Sequence, residues 1–194
     1  MRNTYLALGA LILSGLSNPA AAQLPPELLG GDSGGDPSKG LHSEPFYKGA
    51  EGFWVQMRKP ANDGLRCSVN FITTNGLFAI HGPWDAEMAK KGVGMIWFDG
   101  KDIPKVAQTA ATKITVRSKY PTQIYPAIHT TLGQTATNGI FILIVDMKAL
   151  LAEKNEADDI AVDFGGKQVF STQPIRLQEA YRRLGECTAA KPAG

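Results

Sequence analysis

The stretch 53–81 reads FWVQMRKPANDGLRCSVNFITTNGLFAIH, and its pattern decides the fold. Apolar residues alternate with other residues on both sides of the turn sequence 60–64 (PANDG), which is typical of half-buried strands. Asn75-Gly76 then predicts a tight hairpin, because both residues tolerate a positive φ. The stretch therefore predicts a three-stranded antiparallel meander. Its expected core-facing residues are Phe53, Val55, Met57, Cys67, Val69 and Phe71.

The same patterns continue downstream and extend the sheet. Further strands are expected at 93–98, 113–117, 123–128, 140–145, 160–164 and 167–170, and short helices after Asp85, Asp146 and Pro174. We expect one α+β domain at 46–188, built on a mostly antiparallel sheet of roughly seven strands with two or three short helices. A disordered tail is expected at 189–194.

The chain contains two cysteines, Cys67 and Cys187. Cys67 shares the core-facing parity of its strand. Cys187 follows an apolar stripe of the last helix formed by Leu177, Ala180, Tyr181 and Leu184. In an oxidising compartment such a pair is normally bonded. The sequence therefore predicts a disulfide that ties the C-terminal helix to the sheet.

The first 22 residues have the pattern of a secretory signal peptide. Arg2 precedes an apolar run at 6–16, and Ala20-Ala21-Ala22 offers a cleavage site. Residues 23–45 are rich in Gly, Pro, Ser and Asp, so we expect a flexible leader. These segments predict a periplasmic or secreted protein without a membrane span in the mature chain.

Charge and motif content exclude several function classes. A net charge of +2 gives no electrostatic footprint for nucleic acid. The three histidines, His42, His81 and His129, lie far apart in the sequence, and neither a zinc motif nor an alternating calcium loop occurs. We therefore expect no metal and no cofactor.

The sequence GDSGG at 31–35 resembles the nucleophile segment of a chymotrypsin-like serine protease. Its context opposes that function, because Ser33 lies in the expected leader with no catalytic His or Asp upstream. A nucleophile elbow would also need a strand immediately before it. Composition alone accounts for the string.

The turn His81-Gly82-Pro83-Trp84-Asp85 is the best candidate for a site. It follows a strand and gathers an imidazole, an indole and a carboxylate within five residues. His81, Trp84 and Asp85 are therefore the candidate ligand-binding residues. A plain turn, with Asp85 as a helix cap, explains the same residues without a ligand.

Trp54 leaves an alternative open. It opposes the expected core face of its strand, so it is either exposed at an interface or covered by a second packed layer.

Five short motifs follow one another along the chain. They are the Cys67 strand, the 81–83 turn, WFDGKDIP at 97–104, VDFGGK at 162–167 and R-x-L-x-x-C ending at Cys187. In this order and spacing, residues 53–187 resemble a group of uncharacterised exported proteins of alphaproteobacteria. The resemblance implies export, and no catalytic residue carries over from it.

These observations favour a non-enzymatic binding or accessory protein whose partner is an unknown protein or small molecule. The alternative is a small hydrolase in which His81 is the base and Asp85 orients it. A reachable hydroxyl beside both residues would favour the hydrolase, and a patch of exposed aromatic residues would favour the binding protein.

Overall fold

The computed structural model describes residues 40–61, 64–133 and 136–189. Within these ranges it contains ten strands and three helices, rather than the roughly seven strands expected. The elements are β1 His42–Lys48, β2 Phe53–Ala61, β3 Gly64–Thr73, β4 Gly76–His81, α1 Ala86–Lys91, β5 Val93–Gly100, β6 Ala110–Arg117, β7 Gln123–Thr130, β8 Ile140–Asp146, α2 Met147–Leu151, β9 Ile160–Phe164, β10 Lys167–Thr172 and α3 Leu177–Ala189.

All ten strands belong to one sheet, and every pairing is antiparallel. Strands β1 to β5 form a consecutive meander. The turns at 60–64 and Asn75-Gly76 predicted its three middle strands, β2 to β4, whereas β1 was not expected. The order then runs β5-β8-β7-β6-β9-β10, so β8 lies beside β5. Phe170 of β10 packs on Phe98 of β5, with ring centroids 5.5 Å apart, which shows that the sheet curves around its core. The predicted α+β class and mostly antiparallel sheet are confirmed.

Trp54 lies in the main core with 0% exposure, so the expected parity of β2 is wrong. Its Nε1 donates to the Ile175 carbonyl at 2.7 Å, and the next residue on the same face, Gln56, donates through Nε2 to the Arg183 carbonyl at 3.0 Å. These bonds connect β2 to α3 and to the residues before it. Of the three β2 residues expected inside, Phe53 is 37% exposed and Met57 is half-buried, whereas Val55 is buried.

The opposite face of the central strands is also buried. Five apolar side chains form a second cluster there, with Trp84 and Met88 packed against it. The members of this cluster are Ala79, Met95, Trp97, Ile140 and Ile142. Strands β4, β5 and β8 therefore bury both faces over much of their length. The apolar runs at 93–98 and 140–145 predict this two-sided burial for β5 and β8.

The predicted disulfide is confirmed. Cys67 and Cys187 are bonded, with their Cα atoms 6.0 Å apart. The predicted stripe of α3 is buried, and Cys187 lies within the helix rather than beyond its tip. Gly185 therefore does not end α3. The disulfide and the stripe together hold the C-terminal helix against the main core.

The folded part begins earlier than the predicted boundary at residue 46. β1 starts at His42 and pairs with β2, so the last residues of the expected leader are part of the sheet. Glu44 is paired with Arg183 at 3.0 Å, and the guanidinium of Arg183 lies 4.5 Å from the Phe46 ring centroid. Contacts with α3 therefore compensate for the polar composition of this segment.

The predicted signal peptide, most of the predicted leader, the Ser33 motif and most of the predicted tail lie outside the described residues. None of the helices that the structure describes is long and apolar enough to cross a bilayer.

Candidate functional site

The turn after β4 is fixed by three local interactions. Gly82 donates its N–H to the Cys67 carbonyl at 2.9 Å. A Cβ at Gly82 would lie 2.5 Å from Thr188 Cγ2, so glycine allows α3 to pack closely on the turn. Asp85 then begins α1 by accepting a hydrogen bond from Met88 N at 2.7 Å. These contacts fix both ends of the segment that carries Trp84.

Three rings meet beside this turn, and we call His81, Trp84 and Trp97 the histidine–tryptophan cluster. The His81 ring centroid lies 4.3 Å from that of Trp97 and 5.8 Å from that of Trp84. Sheet register explains the first contact. Ala79 pairs with Trp97, so His81, two residues further along β4, lies diagonally across on the same face.

The ring nitrogens of the cluster are buried and have no hydrogen-bond partner. This holds for Nδ1 and Nε2 of His81 and for Nε1 of both Trp84 and Trp97. Most buried polar groups in proteins are paired, and each unpaired one costs about 1–3 kcal/mol. Several unpaired buried nitrogens therefore lie within one group of contacting rings.

Burial makes the His81 imidazole neutral near pH 7, because desolvation lowers its pKa to about 3. A neutral imidazole offers one donor and one acceptor, whereas an indole N–H only donates. A positive charge is nearby, since the Arg66 guanidinium lies 5.2 Å from the Trp84 ring centroid. The described polar groups of the cluster are thus mainly donors.

Asp85 does not join His81 in a catalytic arrangement. Its Oδ1 caps α1, and neither nitrogen of His81 has a hydrogen-bond partner. Ser68 is the cross-strand neighbour of His81, but its Oγ accepts from Asn70 Nδ2 at 3.0 Å. The hydrogen bonds that the hydrolase alternative requires are therefore not formed in this arrangement.

The other two histidines lie elsewhere in the fold. His129 contacts the Pro104 carbonyl through Nε2 at 2.8 Å and packs on Phe141, while His42 lies on the edge strand β1. Within the described ranges, no group of three His, Cys, Asp or Glu side chains is arranged to hold a metal ion.

The sequence predicted His81, Trp84 and Asp85 as candidate site residues and did not predict that Trp97, Ser68 and Asn70 lie beside them. These three residues lie on β5 and β3, and only the pairing of those strands with β4 brings them to the same face. The one signal available was the hairpin at Asn75-Gly76, which fixes the register of β3 against β4 and places Ser68 opposite His81.

Comparison with models of protein families, with curated proteins and with solved structures yielded no match.

Proposed function

We propose that this chain is an exported, non-enzymatic binding or accessory protein and that the histidine–tryptophan cluster is its ligand site. One observation carries the proposal: His81, Trp84 and Trp97 are in contact, yet none of their buried ring nitrogens has a partner. A ligand that pairs with these atoms removes an existing desolvation cost, so binding is favoured at this position more than at an ordinary apolar surface.

The cluster limits the chemistry of the ligand. Two indole N–H groups require acceptors, such as carbonyl or carboxylate oxygens, on the ligand. The rings supply apolar contact area around those acceptors. A small molecule or a protein segment that carries such oxygens satisfies these requirements. Asp85 acts as a positioning residue in this proposal, because its cap fixes the start of α1 next to Trp84.

Export is supported by the disulfide, which fits an oxidising compartment. The charged start, apolar run and small residues of the N-terminus point the same way. Periplasmic or extracellular residence of the mature chain is therefore part of the proposal, as is kinship with the exported alphaproteobacterial group whose motifs it resembles.

The hydrolase alternative has less support. The buried imidazole of His81 is a weak base, because its pKa is lowered to about 3. An efficient general base has a pKa near the working pH. No hydrogen bond connects His81 to Asp85 or to Ser68.

A binding screen tests the proposal. Small carboxylic acids and amides are screened against the full mature chain by thermal shift, and the dissociation constants of the hits are measured for two variants. Trp97→Phe keeps an aromatic ring but removes an N–H, while Tyr125→Phe is a matched control on β7. We expect the hits to bind at least fivefold more weakly to Trp97→Phe and unchanged to Tyr125→Phe. A panel without hits, or equal affinities for both variants, contradicts the proposal.

A further inference from the structure

We infer that the opposite end of the sheet carries a second, independent ligand site, a polar cleft that takes an uncharged polyhydroxylated molecule such as a sugar. The cleft has a volume of about 560 Å³, within the range of small-molecule sites. We call it the hydroxyl cleft, after the side chains on which the argument rests: Thr74, Asn75, Ser118, Ser171, Thr172 and Gln173.

Five separate parts of the chain form the hydroxyl cleft, one of which is Glu51 in the β1–β2 connection. The other four are the β3–β4 turn, the end of β6, the start of β9 and the end of β10. Thr73 at this end of β3 lies five residues from Ser68, which pairs with His81 at the other end. At the rise of an extended strand this separation is roughly 16 Å, so the cleft is distinct from the histidine–tryptophan cluster.

Thr172 provides the observation that points to a ligand. It is only 7% exposed, and its Oγ1 is buried without a hydrogen-bond partner. A buried hydroxyl normally has a hydrogen-bond partner, and a buried hydroxyl without one carries a desolvation cost. A ligand hydroxyl that pairs with Oγ1 removes that cost.

The charges of the cleft disfavour an anion. Among the described residues that line it, the one cation is Arg117, which is held by Asp163 at 2.7 Å and donates a further hydrogen bond to Gln168 at 2.6 Å. Two carboxylates, Glu51 and Asp159, also line the cleft. An anionic ligand would approach these carboxylates without a free guanidinium to balance its charge.

The remaining lining favours hydroxyl groups. Ser and Thr hydroxyls and Asn and Gln amides both donate and accept, which matches a ligand whose own groups do the same. Aromatic, His and Cys side chains are absent from the described lining residues of this cleft, so stacking, thiol chemistry and binding of a metal ion through nitrogen or sulfur have no support there.

Titration of the full mature chain with neutral hexoses tests the inference. D-Glucose, D-galactose and D-mannose are the probes, and D-gluconate is the anionic comparison. Thr172→Val removes the hydroxyl while keeping the side-chain shape, and Thr112→Val on β6, outside the cleft, is the matched control. We expect saturable binding of at least one hexose, weakened roughly tenfold by Thr172→Val and unchanged by Thr112→Val.

Thermal stability separates this result from simple damage. Because the Thr172 hydroxyl is unpaired, Thr172→Val should leave the midpoint of unfolding unchanged or higher. If the variant nevertheless unfolds, the wild-type chain is titrated with hexose and its backbone amide chemical shifts are followed by NMR. Shift changes at 74–75 and 171–173 support the site, and shift changes elsewhere overturn it. Absence of hexose binding, equal affinity in Thr172→Val, or tighter binding of gluconate also overturns it.

Discussion

The imidazole of His81 packs on the indole of Trp97, with ring centroids 4.3 Å apart and ring planes inclined by 36°. The two residues lie on neighbouring strands, and the register of β4 against β5 brings them to one face. Neither ring has a hydrogen-bond partner for its nitrogens. This contact therefore combines a neutral base, an unpaired donor and a large apolar surface.

Burial of His81 predicts a pH dependence of stability. Its pKa is lowered to about 3 by desolvation, whereas an unfolded histidine titrates near 6.5. Between these values the unfolded chain binds a proton that the folded chain excludes, so stability falls as pH falls below about 6.5. From pH 7 to pH 5, this single group should cost about 2 kcal/mol.

Denaturant unfolding of wild type and His81→Phe at both pH values measures this cost. The variant should lose about 2 kcal/mol less than wild type over that interval, whatever its absolute stability. Thr112→Val on β6, which removes no titratable group, serves as the control and should keep the wild-type dependence. Parallel pH dependences in wild type and His81→Phe would show that His81 is not held neutral.

The Cys67–Cys187 bond should contribute strongly to stability. It closes a loop with a sequence separation of 120 residues, and the chain-entropy model gives about 5 kcal/mol as an upper figure for such a loop. Replacing both cysteines with serine should lower the free energy of unfolding by up to that amount. Alkylation of the protein without reductant, followed by intact mass measurement, should find no free thiol. Two modified thiols would contradict the bond.

The start of the folded domain at His42 gives a deletion test. Phe46 stacks on Trp54 with ring centroids 6.0 Å apart, and Glu44 is paired with both Arg58 and Arg183. A chain that begins at residue 41 should keep these contacts and unfold within a few degrees of the longer chain. A chain that begins at residue 49 should unfold at least 5 °C lower, because roughly 1 kcal/mol shifts the midpoint of such a domain by several degrees. Equal midpoints would contradict a stabilising role for β1.

Asp85 should behave as a helix cap. Asp85→Ala should cost about 1 kcal/mol of stability, while Asp85→Asn should retain most of it, because asparagine also caps well. Affinity for ligands found in the carboxylate and amide screen should be unchanged in Asp85→Asn. A large loss of affinity in that folded variant would instead make Asp85 a ligand contact, as the sequence first suggested.

Local sequence pattern was sufficient for some features of the fold. The alternation at Cys67, Val69 and Phe71 and the stripe ending at Cys187 predicted which side chains meet in the main core, and the disulfide followed. These features depend on periodicity within one element, which the sequence records directly.

Other features depend on contacts between distant elements. Trp54 points inward because the Ile175 carbonyl, 121 residues away, accepts its N–H. β1 is a strand because Glu44 and Phe46 contact Arg183 of α3, despite the polar composition of the segment. Trp97 joins His81 only through sheet register. Neither local pattern nor composition encodes such partners, so these features were missed.

Indole N–H resonances test the central claim most directly. The chain has three tryptophans, and the Nε1 of Trp54 already donates to Ile175, so this residue is an internal control. ¹⁵N–¹H spectra are recorded while N-methylacetamide or acetate is added, with methylammonium, which only donates, as a negative probe. We predict saturable downfield shifts of the Trp84 and Trp97 indole protons with at least one acceptor probe, and a constant Trp54 signal. Unmoved Trp84 and Trp97 signals, or equal movement of all three, would contradict the proposed ligand site.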